Sequence, residues 1–101
     1  MLVVMGVVEI EEGTIDQVRD AIATMENETR KEPGCLDYSF SVEVSNPATM
    51  RISERWESME ALEAHMNTPH MAAFGAALGK ARPKSLNVNV YEVARERELP
   101  R

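Results

Sequence analysis

The sequence predicts a single α+β domain with the element order βαββαβ and an antiparallel sheet, and three observations carry that prediction. A valine-rich apolar run from Leu2 to Ile10 reads as a strand. Two segments of strict alternation, Leu36 to Val44 and Met50 to Glu57, read as two more, and Leu86 to Val93 as the last. Stretches with apolar residues at helical spacing follow Thr14 and Ser58.

The first strand is almost continuously apolar, which suits a strand covered on both faces, and Glu11-Glu12-Gly13 ends it. Thr14 and Gln17 match a capping box, after which Ile15, Val18, Ile22 and Met25 mark one helical face, and Pro33-Gly34 stops the helix. In the second strand Leu36, Tyr38, Phe40, Val42 and Val44 share a face. Asn46-Pro47 supplies the turn of a hairpin. The third strand sets Met50, Ile52, Glu54 and Trp56 against Arg51, Ser53, Arg55 and Glu57, so its apolar face carries one carboxylate. Ser58 fits an N-cap, and Met59, Leu62 and Met66 then lie on one helical face. Thr68-Pro69 reads as a second helix start, with proline where its missing N–H costs nothing. Pro83 ends that helix, and the charged tail 95–101 is expected to fray or to lie along a partner subunit. With its second helix broken in two, this order is the ferredoxin-like split βαβ plan.

Composition narrows the function. At 101 residues the chain forms one domain, 1–101, with a core over 1–94 of marginal size. A formal charge of -6 and a pI near 4.9 give no electrostatic footprint for nucleic acid or an anionic membrane. One cysteine cannot form an internal disulfide, and the opening MLVVMGVV lacks a basic flank and is too short to span a bilayer. The expected location is cytoplasmic. Helices cover one face of such a sheet, and an apolar bare face on a small domain calls for a second chain, so a homodimer is expected.

Residues 51–71 hold the only tryptophan, both histidines and three of the seven methionines. His65 is the leading candidate for chemistry, because an imidazole can take and return a proton near neutral pH; the bland alternative is a helix-end histidine satisfying carbonyls. His70, in the first turn of a helix, is better read as solvated or intersubunit. The five-residue spacing of the two histidines across a helix break matches no ligand motif, so no metal site is expected. Trp56 reads as core and as a pocket wall at once. Glu54 on the same face needs a partner, for which Tyr38, a histidine or a backbone donor would serve; unpaired, its carboxyl would be pushed upward. Tyr38 and Phe40 share the inner face, the methionines read as gap-filling core, and Cys35 reads as structural. No glycine-rich phosphate loop, dinucleotide fingerprint or C-x-x-C is present, and no nucleotide or flavin cofactor is expected.

The order Glu54-Arg55-Trp56-Glu57-Ser58, then Glu60-Ala61-Leu62-Glu63-Ala64-His65, then Thr68-Pro69-His70-Met71 and Phe74 resembles the antibiotic biosynthesis monooxygenase family. Glu32-Pro33-Gly34-Cys35-Leu36-Asp37-Tyr38 extends the resemblance upstream, as the family's link from first helix to second strand. The resemblance implies a dimeric α+β barrel, in which two sheets face each other. It further implies a cofactor-independent monooxygenase acting with O2 on a small quinol or polyphenol-like aromatic. His65 then acts as base beside Trp56, in a pocket contributed by Tyr38, Phe40, Glu54, Met66, His70 and Phe74. Haem-binding relatives use an asparagine in the first strand, which this chain lacks. A small-metabolite isomerase and a non-catalytic, stress-related ligand-binding dimer are the other readings.

Overall fold

A computed structural model describes residues 1–100. Its elements are β1 (Leu2–Glu9), α1 (Ile15–Thr29), β2 (Cys35–Glu43), β3 (Asn46–Trp56), α2 (Met59–Met66), α3 (Pro69–Leu78), a short 3-10 turn (Gly79–Ala81) and β4 (Ser85–Glu92). All pairings are antiparallel and the strand order is β2-β3-β1-β4, an open sheet with its helices on one side. The α+β ferredoxin-like class expected from the sequence is the fold observed.

The apolar alternation explains the layering. Leu2, Val4 and Val8 of β1 face the helices together with Met50, Ile52 and Trp56 of β3, and all six are buried. Two neighbouring clusters result. One gathers Leu2, Val4, Met25, Tyr38, Trp56, Leu62 and Phe74 beneath the broken helix; the other gathers Val8, Ile10, Val18, Met50, Ile52 and Ala81.

Several local expectations give way to the structure. Within one chain β1 is buried on a single face only, since its residues alternate and Met5 is 55% exposed. On β4, Leu86, Val88 and Val90 sit opposite Val8, Gly6 and Val4 and so share the helix-side face, yet all three are exposed in the single chain. Thr14 caps α1 without a capping box: its hydroxyl donates to the carbonyls of Glu11 and Ala81 instead, tying the loop to the 3-10 turn. A register shift between Cys35 and Asp37 leaves Leu36 out of the pairing and exposed, and Val44 falls in the turn, fully exposed. That turn comes earlier than expected, so Asn46-Pro47 opens β3 rather than making the bend. Of Met59, Leu62 and Met66, only Leu62 is buried. Ser58 and Thr68 do cap α2 and α3, each accepting a backbone N–H, from Ala61 and Met71.

Candidate active site

Strand register sets the floor of the site. Tyr38 lies directly opposite Glu54, and Trp56 follows two residues along the same face of β3. Trp56 is completely buried, so its single N–H must find an acceptor, and Nε1 donates to Glu54 Oε1 at 2.8 Å. The partner of Glu54 is therefore the indole, not Tyr38, a histidine or the backbone. Burial pushes the Glu54 carboxyl upward, opposed by the Trp56 hydrogen bond and then by His65. The Tyr38 phenol, 2% exposed, is also pushed upward, first by burial and then by Glu54 and Glu32, and it stays protonated.

The broken helix supplies the roof. Because Ser58 starts α2 immediately after β3, the eight residues of α2 bring His65 back over Trp56, with ring centroids 4.9 Å apart, and 5.4 Å from Tyr38. His65 is 1% exposed. Thr68 makes the break: its hydroxyl donates to the His65 carbonyl at 2.8 Å and accepts from Met71 N–H, while Pro69 opens α3. His70 thus enters the first turn of α3 beside His65, the two rings 6.1 Å apart.

Glu32 joins them. Its Oε2 lies 2.8 Å from His65 Nδ1 and 2.7 Å from His70 Nε2. A carboxylate oxygen that serves both rings accepts two N–H groups, which assigns the proton of His65 to Nδ1 and leaves Nε2 as the nitrogen free to accept one. His70, expected to be solvated or intersubunit, is instead half-buried and held within its own chain. Glu32 is placed by the turn after α1, where its N–H donates to the Thr29 carbonyl and its carbonyl accepts from Cys35. Gly34 docks that turn against α2: its carbonyl accepts from Glu57 N–H, its φ is +83°, and an added Cβ would lie 2.6 Å from Ala61 Cβ. Only glycine meets both demands. Cys35 packs against the core, its thiol pushed upward by burial and then by Glu32 and Glu54, which suits a structural role.

Of the residues expected at the site, Tyr38, Glu54, Trp56, His65 and His70 converge. Phe40 and Phe74 stand next to them, their rings 5.1 Å apart and Phe40 5.5 Å from Tyr38. Met66 does not join: it is 55% exposed on the outer side of α2. Phe40 also borders an open cleft of about 430 Å³ between α1 and the β2–β3 hairpin, lined by Ile15, Ile22, Ala23, Val42, Pro47 and Met50, with Arg19 and Glu26 among its polar residues. His65 and Trp56 are not among the residues lining that cleft; Phe40 is the one side chain shared by the cleft and the aromatic cluster around Tyr38. The residue that sequence reasoning missed is Glu32. A usable signal was present, because a histidine and a carboxylate expected on one buried face must both find polar partners.

Fold and site together define a class: a small ferredoxin-like domain with a largely buried histidine–carboxylate centre, walled by aromatic rings, between sheet and helices. The profile of the antibiotic biosynthesis monooxygenase family matches residues 1–77, and the chain belongs to that family. Among relatives, it is 31% identical over 83 residues to the "Probable quinol monooxygenase YgiN" of Escherichia coli, covering 74% of this chain and 79% of that one. An uncharacterised Synechocystis protein, sll1783, is 24% identical over 97% of this chain and 67% of its own. Among solved structures, a Deinococcus radiodurans protein superposes with a TM-score of 0.90 at 24% identity over 99% of both chains. Rv0793 of Mycobacterium tuberculosis gives 0.84 at 23% identity over 96% of this chain and 98% of its own. No helix among the described residues is long and apolar enough to cross a membrane.

Proposed function

We propose that the protein is a cofactor-independent monooxygenase that oxidises a small quinol or polyphenol-like aromatic with O2, working as a cytoplasmic homodimer. One observation carries this reading: the Glu32 carboxylate holds His65 by Nδ1, which leaves Nε2 as a base inside an aromatic enclosure. Deprotonating a phenol there produces an electron-rich anion with little water around it. A quinol reduces O2 with its own electrons; one oxygen atom enters the ring, giving a hydroxyquinone, and the other leaves as water, so the stoichiometry needs no external reductant. The matched relative named as a quinol monooxygenase supports the same substrate class. Phe40, shared between the open cleft and the Tyr38 cluster, is the proposed gate through which a flat substrate reaches Nε2. The test is oxygen uptake with a quinol, with spontaneous autoxidation subtracted.

A second reading rests on Glu54. Its raised carboxyl, facing the same enclosure as His65, makes a second proton-exchanging group, which suits isomerisation of a small metabolite. The two readings separate on oxygen: an isomerase turns over equally well under anaerobic conditions.

A further inference from the structure

Three donor atoms from three segments of the chain converge on one point: Glu32 Oε2 from the turn after α1, His65 Nδ1 from the last turn of α2, and His70 Nε2 from the first turn of α3. No two of them are more than 4.8 Å apart. We propose that Glu32, His65 and His70 form a binding site for a divalent first-row transition cation of the zinc type. The sequence expectation of no metal site rested on histidine spacing alone, and spacing says nothing of a carboxylate arriving from another element.

The donor set argues for the class of ion. Two imidazole nitrogens and one carboxylate oxygen suit Zn²⁺ or Co²⁺, whereas Mg²⁺ and Ca²⁺ prefer oxygen alone. Three protein ligands leave a fourth position for water, and the His70 side chain is 20% exposed, so solvent reaches the edge of the cluster. Metal–nitrogen bonds of about 2.0–2.1 Å in a tetrahedral site put ligand atoms roughly 3.3 Å apart. Reaching that spacing opens the two carboxylate contacts by about half an ångström and draws the half-buried His70 ring inward, a movement that leaves the fully packed His65 in place. The ion replaces the two N–H protons that now point at Oε2, so the present hydrogen bonds hold the ligands pre-aimed.

Occupancy has a consequence for His65. With the ion on Nδ1, the ring's remaining proton resides on Nε2, and that nitrogen can no longer accept one. The ion and the proposed base role therefore exclude each other. The inference itself stands on the geometry of the cluster and needs no catalytic reading.

The experiment titrates tag-free, chelator-treated protein with Co²⁺, followed by its visible d–d absorption, and with Zn²⁺ by calorimetry and by displacement of Co²⁺. Expected are one ion per chain, a tetrahedral or five-coordinate cobalt spectrum, and affinity weakened by at least about tenfold in both His70→Ala and Glu32→Gln. Cys35→Ser should bind as the wild type does. Metal-free melting curves show whether each variant is folded, and either folded variant suffices. Absence of a cobalt spectrum and of Zn²⁺ heat in the wild type, or wild-type affinity in a folded His70→Ala or Glu32→Gln, would overturn the proposal. Because the readout is binding, it is independent of whether any quinol is oxidised.

Discussion

Glu32 and His65 stand 33 residues apart in sequence and meet through a hydrogen bond of 2.8 Å in which the imidazole Nδ1–H donates to the carboxylate. The carboxylate fixes the tautomer and the orientation of the ring, as in other histidine–acid pairs where the acid positions the base without itself exchanging the proton.

Removing that positioning should act on turnover rather than on substrate affinity. Glu32→Ala is expected to lower kcat for quinol oxidation by at least about tenfold with KM changed little. Steady-state oxygen uptake across quinol concentrations checks this; a raised KM with kcat intact would make Glu32 a substrate contact instead.

Trp56 closes the bottom of the site and fills the core, so its truncation should cost stability first. Trp56→Ala is expected to lose about 3–5 kcal/mol in denaturant unfolding, and Trp56→Phe clearly less. The phenylalanine variant still strands the Glu54 oxygen that accepts from Nε1. A neutral effect of the alanine change would contradict complete burial.

Much of this was legible in the chain. Period-two alternation placed Tyr38, Glu54 and Trp56 on one face, and the Ser58 and Thr68 caps placed both histidines. What could not be read was pairing across elements: that the Trp56 N–H satisfies Glu54, and that a carboxylate from the α1–β2 turn reaches both histidines. Alternation gives a face and not a partner. The missed bulge at Leu36 has the same origin, since register is fixed by the neighbouring strand.

The raised carboxyl of Glu54 makes a pH prediction of definite sign. A folded-state pKa above the ordinary value of 4.5 means the native state holds its proton longer than the unfolded chain does. Its stabilising contribution is complete below about 4.5 and is lost as pH rises through the folded-state value. The stability difference between wild type and Glu54→Gln should therefore shift against the wild type as pH rises from 4 to 8. Melting temperatures for both proteins over that range check it, and a constant difference would mean that Glu54 titrates as an exposed carboxylate.

Uncovered apolar side chains predict assembly. Leu86, Val88 and Val90 on one side of β4, with Met5 on the other face of β1, are 42–64% exposed in the single chain. Light scattering at low micromolar concentration is expected to give twice the chain mass of 11.3 kDa; a monomer there would remove the homodimer.

The central claim is that His65 Nε2 is the base. The direct measurement is oxygen consumption with a hydroquinone in the presence of a chelator, autoxidation subtracted, for wild type and His65→Ala. The account predicts a wild-type rate above background without added flavin or metal, falling roughly 100- to 10,000-fold in His65→Ala. Equal rates for the two proteins would take His65 out of the mechanism, and no rate above background in the wild type would remove quinol oxidation itself.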